Sequence, residues 1–116
     1  MEMKQIILID EKVTMHQGIT NDEGIVIYEE ILSKLKEGKE VVLDFQGITM
    51  MTTAFLNVVI GQLYKDYTSE ELKEKLHFEN IPSGNARRIK NVTDNAKLFY
   101  NDPESFTKNI EDNIYG

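Results

Sequence analysis

Residues 40 to 61 read EVVLDFQGITMMTTAFLNVVIG, and the order of residue types within them decides the fold. Val41 to Phe45 are almost continuously apolar, as in a central strand covered on both faces, so this segment is expected in the middle of a sheet. Gln46-Gly47 supplies a turn. Ile48 to Met51 are apolar again, and Thr52-Thr53 then precede a run in which Phe55, Leu56, Val59, Ile60 and Leu63 share one helical stripe. The β-branched Val58, Val59 and Ile60 lower its intrinsic propensity. A helix from Ala54 to Tyr64 held by packing is therefore predicted.

The flanking sequence repeats the strand-helix alternation. Residues 4 to 9, KQIILI, predict a buried strand. Glu11 to Ile19 fit either a second short strand through Val13 and Met15 or a loop. Thr20 and Glu23 have the spacing of a capping box, and Ile27, Tyr28, Ile31, Leu32 and Leu35 follow at intervals of three and four, with Gly38 as the C-terminal cap. Thr68 and Glu71 form a second box before a short polar helix ending near Lys75, and Leu76 to Ile81 read as the last strand. Ala86, Ile89, Val92, Ala96 and Phe99 mark one face of a helix over 83 to 100. Asp102 and Pro103 then open a final helix to about residue 114, striped by Phe106, Ile110 and Ile114. The expected fold is an α/β layered domain with a small mixed, partly parallel sheet, formed by residues 1 to 116 as a single unit.

Composition narrows the chemistry. The chain has 116 residues, 20 acidic against 13 basic, and a formal charge of −7, which argues against nucleic acid or anionic lipid as the main partner. There is no cysteine, so thiol catalysis and disulfides are excluded. His16 and His77 are too far apart in sequence to form a metal-ligand pair, and no cofactor is expected. No apolar run approaches a membrane span, and the first residues lack a cationic flank and cleavage site, so a cytoplasmic location is expected.

The stretch from 40 to 61 resembles the signature of STAS-like domains, relatives of the anti-sigma factor antagonists. The features that carry the resemblance are a strand ending Leu-Asp-Phe, a glycine turn, a small polar pair and a helix opening Ala-Phe. The order of elements agrees from about residue 20 to 100. In the antagonists an Asp-Ser-Ser-Gly run occupies the strand-to-helix turn, and its second serine is phosphorylated by an ATP-dependent kinase. Thr52 falls at the aspartate, Thr53 at the first serine, Ala54 at the phosphoacceptor and Phe55 at the glycine. Ala54 has no hydroxyl, so the resemblance does not carry the phosphorylation switch with it. It implies a non-enzymatic regulatory module that binds a protein partner, an ATP-dependent kinase or an anti-sigma-like protein. Its contact region would be Thr52, Thr53, Ala54, Phe55 and Asn57. A homodimer is compatible with the same sequence.

Read as residues, these positions allow other roles. Thr53 is a weak phosphoacceptor candidate, since a phosphate at a helix start is favourably placed; the simpler role for Thr52 or Thr53 is helix capping. Asp44 could face a ligand at the end of its strand, or bond the amides of the following turn. A small-ligand or nucleotide-sensing domain using the same turns is one alternative. An enzyme built on Asp44, Thr52 and His16 is another. Arg87, Arg88 and Lys90 form the one basic cluster and read as a solvated helix face away from the contact region, where charge reversal of Arg88 would matter little.

Overall fold

The computed structural model describes residues 4–101. The final helix expected near 103 to 114, with Asp102, Pro103, Phe106, Ile110 and Ile114, lies outside the described residues. In chain order the elements are β1 (Lys4–Leu8), a 3₁₀ turn (Ile9–Lys12), β2 (Gln17–Gly18), α1 (Asn21–Lys36), β3 (Glu40–Asp44) and β4 (Met50–Met51). They continue with α2 (Thr53–Val59), a second 3₁₀ turn (Gly61–Lys65), α3 (Ser69–Lys75), β5 (Leu76–Glu79) and α4 (Ala86–Asn101).

The main sheet has the order β1-β3-β5, with Ile7 opposite Leu43 and Leu43 opposite Phe78; both pairings are parallel. β2 and β4 form a separate parallel pair. The sheets are thus parallel rather than mixed, and the one antiparallel contact among the described residues is the isolated bridge between Thr14 and Gln17. β3 is central, as its apolar run predicts.

Its apolar residues are buried on both faces. Val41 and Leu43 join the core with Ile7, Ile27, Ile31, Phe55, Leu56, Ile89 and Val92. Val42, on the other face, is 5% exposed, so β3 is covered on both faces as expected, whereas Ile6 opposite it on β1 is 64% exposed. The expectation of a buried first strand is corrected accordingly. β1 is an edge strand in which only Ile7 is buried. The segment after it is mainly a loop whose short strand lies at Gln17–Gly18, not at Val13 and Met15.

Capping explains where the helices begin. Glu23 N–H donates to Thr20 Oγ1 at 3.3 Å at the start of α1. The Glu23 carboxylate does not return to the cap backbone as a full box would; it accepts the Thr20 and Thr14 hydroxyls at 2.9 and 2.7 Å. At α3 both reciprocal bonds of the Thr68–Glu71 box form. Gly38 takes φ +80° after α1, a left-handed conformation that β-carbons disfavour. The helix expected from 54 to 64 divides at Ile60 into α2 and a 3₁₀ turn, yet Phe55, Leu56, Val59, Ile60 and Leu63 are all fully buried. Tyr64 in that turn packs beneath α4, and burial, aided by Asp94, pushes its phenol above the usual range. α4 begins three residues later than expected, and of its predicted face Ala86 is exposed and Phe99 is 48% exposed, while Ile89, Val92 and Ala96 are buried.

One pair at the start of the sheet has a measurable pH signature. His77 Nε2 lies 2.7 Å from Glu40 Oε1, and this hydrogen bond, opposed by partial burial, holds the Glu40 carboxyl below its ordinary 4.5. A carboxyl depressed on folding stabilises the native state above its unfolded value and loses that contribution as pH falls through the folded value. The stability difference between wild type and Glu40→Gln should therefore shrink as pH falls below about 4. Urea denaturation through that acid range checks it; a gap that does not change as the carboxyl is protonated would contradict the pairing.

Candidate functional site

The turn leading into α2 is pinned from both sides. Thr52 N–H donates to Gly18 O at 2.9 Å, and Thr49 N–H donates to His16 O at 2.9 Å, so the β2–β4 pair carries the turn. Thr52 then acts as the cap: its Oγ1 accepts from Phe55 N–H at 3.0 Å. The capping role proposed for one of the two threonines belongs to Thr52, whose hydroxyl is committed to the backbone. Thr53 is exposed, and its hydroxyl has no hydrogen bond to any described residue.

The helix divides its residues cleanly. Phe55 is fully buried against Gly18 and Gly24, so it is unavailable as a contact residue. Thr53, Ala54 and Asn57 are exposed on the opposite side. A rigid apolar inner face thus presents a short outer strip of small and neutral polar side chains. From Phe45 to Tyr64 no side chain is charged, in a chain with 28% charged residues. This was the sequence signal most directly visible for the site, and residue-by-residue motif reading passes over it.

The remaining candidates are dispersed. Asp44 Oδ1 accepts from Gln46 N–H and from Asn80 Nδ2, each at 2.9 Å, tying the ends of β3 and β5 together. That is the turn-bonding role. His16 Nδ1 lies 2.8 Å from Asp10 Oδ1, and Asp10 in turn fills the space a β-carbon would need at Gly47. Among the described residues Asp44, Thr52 and His16 share no hydrogen bond, and each is engaged elsewhere. No group of three His, Asp or Glu side chains among the described residues could hold a metal ion.

Arg88 requires a correction. It is not a solvated cation remote from the turn, because Nη1 donates to the carbonyl of Met51 immediately before the cap, and also approaches Asn85 Oδ1 at 3.5 Å. The first turn of α4 is thereby fastened to the start of α2. Arg88→Ala should cost about 1 to 2 kcal/mol of stability, the range for a charge-assisted bond in a part-exposed setting. Urea unfolding measures this; a variant as stable as wild type would mean that the contact contributes nothing.

Two adjoining hollows flank Thr53. One, of about 240 Å³, is lined by Thr53, Asn57, Gly61, Asn95, Ala96, Phe99 and Tyr100. The other, of about 380 Å³, includes Thr53 and Asn95 again together with Gly84, Arg87, Arg88 and Asn91. The site is therefore a groove between α2 and α4, half of it contributed by a helix that the sequence reading kept separate from it.

A family model described as a STAS-like domain of unknown function (DUF4325) matches residues 23–84, from the first turn of α1 to the loop before α4. The match contains the whole 40 to 61 stretch on which the resemblance rested. No curated protein and no solved structure matches. No helix among the described residues is long and apolar enough to cross a membrane.

Proposed function

The chain belongs to the STAS-like domain family, and from that premise we propose that it is a non-enzymatic regulatory module that acts by binding another protein. The observation that carries this reading is the uncharged strip of Thr53, Ala54 and Asn57 on a helix whose other face is locked into the core. Interface centres are depleted in charged groups relative to the surrounding surface. A surface that is pre-formed loses little conformational entropy on docking. The partner class is an ATP-dependent kinase or an anti-sigma-like protein, as the family resemblance implies.

The reading has a direct mutational test. Negative charge at a helix start is tolerated or mildly favourable for folding, so Thr53→Asp should fold normally. It should weaken the partner at least tenfold by placing a carboxylate on an otherwise uncharged strip of the contact. Glu29→Lys, on the exposed side of α1, should leave affinity within about twofold at physiological salt, where exposed charges are screened over about 8 Å. The partner is the protein retained from native-host extract by immobilised wild-type chain, purified and titrated calorimetrically. Equal binding by Thr53→Asp and wild type would move the contact off this surface.

A further inference from the structure

The chain contains two arginines, Arg87 and Arg88, and both line the larger hollow beside Thr53. Neither makes an ion pair with a carboxylate among the described residues, and neither do Lys36, Lys65 and Lys73; what sets the arginines apart is their position. Both arginines sit in the first turn of α4, which holds no acidic residue. Cations at that positive end of the helix dipole oppose the usual stabilising arrangement, and such local violations of folding rules cluster at functional sites.

The other lining groups suit an anion. Thr53 supplies a hydroxyl with no hydrogen bond to a described residue, and Asn91 and Asn95 supply carboxamide donors. Gly84, at φ +83°, has open space where a β-carbon would stand. Among the described residues no Asp or Glu lines the hollow; Asp94, the acid on the same helix, is held by Lys90 at 2.7 Å. Arg88 commits Nη1 to Met51 O and Asn85 Oδ1, which fixes its guanidinium in place without neutralising it. Two guanidinium charges with neutral donors around them match a dianionic oxyanion better than a carboxylate, and planar guanidinium is the group best suited to bidentate phosphate recognition. A volume of about 380 Å³ is within the range of small-molecule sites.

We propose that the hollow bounded by Thr53, Gly84, Arg87, Arg88, Asn91 and Asn95 binds a phosphomonoester carried by a small molecule. Binding is a property of the isolated chain, so it stands or falls independently of the protein-partner reading. Arg87, exposed and without a partner among the described residues, provides most of the adjustable charge. Arg88 is the fixed wall.

The test titrates ¹⁵N-labelled full-length chain with AMP, adenosine and sodium phosphate, each against sodium chloride at matched ionic strength. AMP and phosphate should give saturating amide shifts centred on Thr53, Gly84, Arg87 and Asn91, and adenosine should not. Arg87→Ala should weaken AMP about tenfold or more, as expected for removal of a charged hydrogen-bond donor. Asn91→Asp, which adds a carboxylate one helical turn from Arg87 while leaving the guanidinium in the wall, should do the same, and both variants should keep wild-type spectra elsewhere. Shifts that match the chloride control would overturn the proposal, as would equal binding of adenosine or unchanged AMP affinity in both variants. Tighter binding of a phosphothreonine peptide at the same residues would overturn the small-molecule assignment.

Discussion

Phe55→Ala is expected to cost about 3 to 5 kcal/mol of folding stability, the range for removing a buried phenyl ring from a core that cannot collapse around the void. Phe55 is fully buried, and its ring lies against Gly18 and Gly24. Natural domains have about 5 to 15 kcal/mol in total, so the variant should be partly unfolded at 37 °C. Urea denaturation followed by circular dichroism gives the value. A loss under about 1 kcal/mol would mean that Phe55 is not the seat of α2, and would return it to the list of surface contacts. The same result fixes how binding data are read, because any weakening of a partner by Phe55→Ala is a consequence of unfolding and not of a lost contact.

Gly18→Val should be nearly as damaging, from the opposite cause. A β-carbon at Gly18 would lie 2.6 and 2.7 Å from two Phe55 ring carbons and 3.0 Å from Met51 Cγ, and both neighbours are fully buried. Neither can withdraw into solvent. Even Gly18→Ala should cost about 1 to 3 kcal/mol by overpacking, and valine more. The clash has a specific partner, so Gly18→Ala in a Phe55→Leu background should cost less than in wild type, with a coupling of about 0.5 to 3 kcal/mol in a double-mutant cycle. Strict additivity would place the strain elsewhere, for instance in the Thr52–Gly18 hydrogen bond.

These two positions show how unevenly the sequence exposes its structure. The Phe55, Leu56, Val59, Ile60, Leu63 stripe was readable because helical periodicity reports burial directly, and all five residues are buried. The break at Ile60 was not, since a 3₁₀ turn continues the same stripe over so short a span. Thr20, Thr52 and Thr68 were legible as caps because capping is local. The seat of Phe55 was not legible at all: it depends on Gly18 in β2, and nothing near Gly18 in the sequence announces a ring above it. The exposure of β1 was missed for a related reason: a run such as Ile6-Ile7-Leu8 looks the same at the edge of a sheet as in its middle.

The site was legible in part. Thr53, Ala54 and Asn57 are where the resemblance implied, exposed at the start of α2. Arg88 was assigned to a different face because it follows the turn by more than thirty residues, and only the β5-to-α4 connection brings its guanidinium to the carbonyl of Met51. Charge bookkeeping offered a better clue than motif spacing: an uncharged run from Phe45 to Tyr64 and two adjacent arginines in a chain of formal charge −7.

Amide chemical-shift mapping of the purified partner onto ¹⁵N-labelled chain tests the proposed contact most directly, because it reads the surface without any mutation. The largest shifts and line broadening should fall on Thr53, Ala54 and Asn57, with smaller changes along the facing side of α4 and none on β1. Changes centred instead on the exposed edge at Lys4–Leu8, with Thr53 to Asn57 unmoved, would contradict it.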